Sequence, residues 1–136
     1  MRVDRIVIPH SHLSLLIDEA KRVLPAEACA LLIGTYEDST ASIKETVVTS
    51  NTESSPIAFT VDAHDLLNAY VKAEENKMEV IGIFHSHPAS PKPSHLDVKF
   101  MKLNPVVWLI MSNISWKYRA YQWHDDLVTD VEVVEA

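Results

Sequence analysis

Two uninterrupted apolar runs, Val80-Ile81-Gly82-Ile83-Phe84 and Val106-Val107-Trp108-Leu109-Ile110-Met111, constrain this chain more than any other feature. A strand with one wet face alternates apolar and polar residues. A strand that is apolar throughout is covered on both faces, as at the centre of a sheet layered with helices. Both runs fall far short of the roughly 20 residues that a bilayer-spanning helix needs, so no membrane partner is expected. The chain therefore reads as an α/β protein built around a buried sheet.

The flanking segments fit that frame. Arg2 to Ile8 reads as a strand, and Leu13, Leu16, Ile17, Ala20 and Leu24 recur at helical spacing, predicting a helix over about 11–23 that stops before Pro25. Ala28 to Tyr36 and Ala41 to Ser50 read as paired strands joined by a turn at 37–40. Residues 51–56 read as a loop and Ile57 to Val61 as a short strand. Asp62 is then a helix N-cap, with Leu66, Tyr70 and Ala73 on one face of a helix ending near Asn76. Glu79 to His85 is the first buried strand. Ser94 and Asp97 match a capping box opening a helix whose Leu96, Phe100 and Leu103 share a face. After Val106 to Met111, strands over 116–123 and 129–134 close the chain. With 136 residues and no repeat or linker, residues 1–136 are expected to form one domain: a mixed β-sheet curled into a partial barrel and flanked by about three helices.

Charge narrows the function. The net charge is −7 and Lys and Arg are nowhere clustered, so no nucleic-acid partner is expected. The absence of an apolar signal-peptide core and the single cysteine, Cys29, lead to the expectation of a cytoplasmic protein. Two counts are unusual: two glycines, where average usage would give about ten, and seven histidines. Turns must come from other residues, chiefly the seven prolines, and Gly34 and Gly82 are expected where backbones approach closely.

The chemistry concentrates in His85-Ser86-His87-Pro88-Ala89-Ser90-Pro91-Lys92-Pro93-Ser94-His95-Leu96-Asp97. Alternate side chains of a strand share a face, so His85 and His87 can offer two imidazoles to one ion. Asp97, in the first turn of the next helix, can supply a carboxylate if the proline-rich loop folds back. Two His and one Asp leave a fourth tetrahedral position for water, the arrangement of a catalytic zinc site.

His85-Ser86-His87-Pro88, then Pro93-Ser94 and Asp97, with Glu27 upstream in Pro25-Ala26-Glu27-Ala28-Cys29, resembles the JAMM (MPN-positive) metalloprotease family. Its pattern is a Glu, then H-S/T-H-P, then P-S-x-x-D. The resemblance implies an MPN domain in which His85, His87 and Asp97 hold one zinc ion with a bound water. It further implies that Glu27 is the general base and that Ser94 steadies the oxyanion. The implied activity is that of a zinc metalloprotease or isopeptidase, cleaving at the C-terminus of a ubiquitin-like or sulfur-carrier protein. A loop over 51–57 is expected to flank the cleft for the substrate's extended tail.

The chain departs from the family in two places. Six residues separate His87 from Ser94 where the family usually has seven, and Ala30 stands where Gly is common. No long insertion is present, so this is a minimal version of the domain. Three alternatives stand beside the isopeptidase: a non-catalytic MPN-like scaffold or binding module, a non-haem iron oxygenase using two His and one carboxylate, and a DNA-repair-associated relative. The scaffold is disfavoured by the complete residue set, the oxygenase because it gives Glu27 and Ser94 no role. Ala89 and the acidic charge disfavour the third. Cys29 reads as an inert core residue. His10-Ser11-His12 lacks a carboxylate at useful spacing, and His64, His95 and His124 have weaker claims. Trp116, Tyr118, Tyr121 and Trp123 read as packing residues, and Asp125, Asp126 and Asp130 as a solvated turn.

Overall fold

A computed structural model of the chain describes residues 1–49 and 63–136. The elements run β1 (Arg5–Ile8), α1 (His10–Arg22), β2 (Cys29–Glu37), β3 (Thr40–Thr49), α2 (Ala63–Glu75), β4 (Glu79–His87), α3 (His95–Leu103), β5 (Val107–Ser112), β6 (Tyr118–His124) and β7 (Leu127–Glu135). The seven strands form a closed barrel in the order β1-β3-β2-β4-β5-β6-β7. β1 closes it by pairing in parallel with both β3 and β7. β4 and β5 are parallel, and the remaining neighbours are antiparallel. The mixed sheet and three helices are those expected. Among the described residues no helix is long and apolar enough to cross a membrane. The expected loop at 51–56, strand at 57–61 and Asp62 cap lie outside the described residues.

Alternation along the strands sorts the core into layers. All seven strands send residues to one interior cluster, including Ile6, Leu32, Ile43, Phe84, Leu109, Ala120 and Val131, and α1 adds Leu13, Leu16 and Ala20 to it. The intervening residues of β2, Leu31 and Ile33, pack with Ala69 and Ala73 of α2 on the opposite face. On that same face Trp108, Ile110 and Tyr121 pack with Met101 of α3. Ile83 borders both outer clusters, so the packing of α2 and that of α3 both reach β4 two residues before His85. The apolar runs are buried on both faces because they lie under these layers.

Two helix faces differ from expectation. In α2 the buried residues are Ala69 and Ala73, while Leu66 and Tyr70 are exposed. Small residues let the helix lie close against β2 and β4, and periodicity alone could not choose between that face and its larger apolar neighbour. In α3 the buried pair is Asp97 and Met101, whereas Leu96, Phe100 and Leu103 face outward. Its rotation is set at the first turn, where Ser94 and Asp97 cap the helix and Asp97 turns inward.

The turns also differ. Asp38, Lys77, Trp116, Asp125 and Asp126 all adopt left-handed φ angles between 50° and 62°, and neither glycine does. Aspartates rather than prolines make the two tight hairpins, at Asp38-Ser39 and Asp125-Asp126, consistent with the tolerance of Asp for this region. Trp116 belongs to a turn rather than to β6, and packs on the interior cluster with Lys21 above its ring. The glycines serve close approach: a Cβ on Gly34 would stand 1.8 Å from the Ser42 carbonyl oxygen, and one on Gly82 2.9 Å from that of Val107.

Candidate active site

The end of β4 brings the two predicted histidines onto the outer face of the sheet, the face against which α2 and α3 pack. His85 and His87 are both buried, with ring centres 5.4 Å apart and planes inclined by 28°. Trp108, on the neighbouring strand β5, packs nearly perpendicular to the His85 ring, with ring centres 6.0 Å apart. β2 runs antiparallel to β4 with Cys29 opposite His85, so Glu27, two residues earlier, is carried past the strand end to the same place. Its Oε1 lies 4.0 Å from His85 Nδ1.

Asp97 arrives from the other side, and its two oxygens divide their roles. Oδ2 accepts from the Ser94 backbone N–H at 2.9 Å, while the Asp97 N–H donates to Ser94 Oγ at 3.0 Å, completing the capping box. Oδ1 stands 3.2 Å from His85 Nε2. The helix cap therefore also aims the carboxylate. The shorter loop does not prevent this. It is drawn in by Tyr121, whose Oη donates to the Pro91 carbonyl at 2.8 Å, and by Asn113, whose N–H donates to the His87 carbonyl at 3.0 Å. The sequence pattern gives Tyr121 a packing role only. A bond between residues thirty apart leaves no periodic or spacing signal.

Burial sets the electrostatics. Glu27 is 4% exposed, and burial pushes its carboxyl up to about 7, with His85 opposing and the Asp97 charge adding. Burial would also raise Asp97, but its hydrogen bond and charge interaction with His85, with help from Ser94, hold it below the ordinary carboxylate range. His87 is lowered by burial and by the neighbouring His85, partly offset by Asp97 and by a hydrogen bond to the Lys92 backbone. The result is one carboxylate held charged and another poised near neutrality.

The donor set suits a small hard-to-borderline cation. Two ligands about 2.1 Å from a tetrahedral ion stand roughly 3.4 Å apart, close to the His85–Asp97 separation, and two such imidazoles have centres roughly 5 Å apart. His87 Nε2 is buried with no hydrogen-bond partner among the described residues, an orphan that an ion would satisfy. Among the described residues no three His, Cys, Asp or Glu side chains form a finished metal group, so the fit rests on these separations and on the orphaned nitrogen. Ser94 is exposed beside them; its Oγ is used as an acceptor, leaving the O–H to donate.

Other candidates fall away from this cluster. Cys29 is buried, its thiol pushed up chiefly by burial, and its Sγ accepts from Thr49 Oγ1 at 2.9 Å. His12 Nδ1 lies 3.2 Å from Thr46 Oγ1, and His124 pairs with Asp125. Asp130 pairs with Arg119 across the β6–β7 hairpin.

Comparison with known proteins places the chain in a family. A family model described as prokaryotic homologs of the JAB domain matches residues 9–124. Desampylase from Pyrococcus furiosus is 32% identical over 131 residues, covering 95% of this chain and 89% of the relative. The solution structure of a protein from Desulfitobacterium hafniense superposes with a TM-score of 0.84 at 28% identity, covering 96% of this chain and 92% of that one. A Salinibacter ruber protein shares the fold, with a TM-score of 0.72 at 21% identity over 100% of this chain and 92% of that one.

Proposed function

The chain belongs to the family of prokaryotic homologs of the JAB domain, and from that premise we propose that it is a zinc-dependent isopeptidase acting on a ubiquitin-like modifier. The observation that carries the reading is the convergence of the buried Glu27, His85, His87 and Asp97, brought together by the segment before β2, the end of β4 and the first turn of α3, with the exposed Ser94 beside them. The similarity to desampylase supports the substrate class. A sulfur-carrier protein with the same kind of tail is the second substrate of interest.

His85, His87 and Asp97 would hold the ion. Zinc, when bound, acidifies its water to a pKa near roughly 7 and polarises the scissile carbonyl. Glu27 is then the proton carrier: buried beside His85, its carboxylate would take a proton from the attacking water at Oε1 and hand it to the departing amine. Asp97 stays ionised because the cap and His85 hold it so. The Ser94 hydroxyl donates to the oxygen that gains charge as the carbonyl is attacked. Burial of Glu27, His85, His87 and Asp97 strengthens the interactions among them, while the exposed Ser94 stands at the open side of the site.

Cleavage of small ubiquitin-like and sulfur-carrier fusions tests the proposal. Zinc-loaded wild type should cleave at least one; Glu27→Gln and chelated protein should not, and Cys29→Ser should match wild type. Undiminished turnover by the Glu27→Gln or chelated samples would refute the mechanism. A zinc-loaded wild type inert on every fusion would leave the scaffold reading in its place.

A further inference from the structure

The structure assigns a positioning role to Ser86, the residue between the two histidines: its hydroxyl holds the Glu27 segment against β4. The inference rests on the functional reading above. Ser86 points away from the histidines into the barrel interior and is completely buried. Opposite it stands Ala28. The Ser86 N–H donates to the Ala28 carbonyl at 3.1 Å, as an antiparallel ladder requires. The return bond is different, because the Ala28 N–H donates to Ser86 Oγ at 3.0 Å, a side-chain acceptor in a buried strand pair.

That exchange has a geometric consequence. β2 begins at Cys29, paired with His85, and the next pair outward is where the backbone ladder hands over to a side chain. The hydroxyl reaches across and keeps the Ala28 N–H satisfied in a site with no access to water, where an unsatisfied donor is costly. Glu27 is the very next residue. Its carboxylate stands 4.0 Å from His85 Nδ1, so the Ser86–Ala28 bond is the last fixed point before the general base. Ser86 thus couples the strand that carries the metal ligands to the segment that carries the base, without touching substrate. The serine or threonine of the H-S/T-H-P pattern meets this requirement, since either supplies an Oγ at the same position.

Ser86→Ala, Ser86→Thr, Glu27→Ala and the double variant Ser86→Ala/Glu27→Ala, all zinc-loaded, test the assignment. The readouts are Ala28 amide exchange by NMR, zinc affinity by competition with a chromophoric chelator, and kcat and KM on a cleavable modifier fusion. In Ser86→Ala, Ala28 exchange should accelerate by about tenfold or more. Its kcat should fall about 10- to 100-fold, with KM and zinc Kd within about threefold of wild type. Ser86→Thr should restore both exchange and kcat. In the Glu27→Ala background, Ser86→Ala should change the residual rate by less than about twofold, because two residues acting through one group are not additive. Unchanged Ala28 exchange would overturn the assignment, as would a full multiplicative loss in the double variant or a zinc affinity that falls in step with kcat. A wild type that cleaves no fusion would count against the isopeptidase reading instead, while the exchange measurement would still decide whether the tie exists.

Discussion

Replacing Glu27 by Gln should make the metal-free protein more stable, by an amount that grows from about pH 4.5 and is complete above about pH 7. Glu27 is 4% exposed, and its carboxyl is raised from an ordinary 4.5 to about 7, chiefly by burial. A carboxyl raised on folding takes up a proton as the chain folds, so stability is greatest below about pH 4.5 and declines as pH climbs to 7. Above that the full cost of burying the charge is present. At about 1.4 kcal/mol per pH unit, the displacement corresponds to about 3 kcal/mol. Glutamine fills the same space without titrating. Urea unfolding of chelated wild type and Glu27→Gln at pH 4.5 and pH 8 measures the effect directly, since other titrating groups are common to both proteins. The variant should gain about 3 kcal/mol relative to wild type between the two pH values, with m unchanged. Zinc loading should shrink that gain, because a cation in the site stabilises the charged carboxylate. A difference that stays constant with pH would refute the claim that burial strains this group.

Three other substitutions probe the scaffold. Tyr121→Phe keeps the ring but loses the bond to Pro91; a chelator competition should show zinc affinity weakened about tenfold, with about 1 kcal/mol lost in urea unfolding. Gly34→Ala should cost more than about 3 kcal/mol by urea midpoint, because the new Cβ would overlap the Ser42 carbonyl oxygen on β3. Ser94→Ala should lower Tm through loss of a cap worth about 1 kcal/mol and reduce kcat about 10²- to 10³-fold with little change in zinc Kd.

What the sequence disclosed depended on the range of the interaction. Local signals were reliable: the turn between Glu37 and Thr40, the Ser94–Asp97 cap and the shared face of His85 and His87 are consequences of spacing within a few residues. The continuous apolar runs identified β4 and β5 as covered strands. The faces of α2 and α3 were misread because a large apolar residue outranks alanine in any periodicity argument. The barrel, however, accepts Ala69 and Ala73 where close approach matters, and accepts an aspartate in α3 where the site demands one. Parallel closure of β1 on β7, with Arg5 opposite Glu132, joins the two ends of the chain and has no local signature. The same holds for the ties that shape the site, Tyr121 to Pro91 and Ser86 to Ala28, which link side-chain hydroxyls to backbone groups 30 and 58 residues away.

The central claim is that one zinc ion, held by His85, His87 and Asp97, makes this cluster catalytic. Zinc titrated into chelator-treated protein while hydrolysis of a modifier fusion is followed tests it most directly. The rate should rise from baseline and saturate at one equivalent, and His87→Ala should abolish the response. Full turnover by the chelated protein, or an unaltered zinc response in His87→Ala, would contradict it.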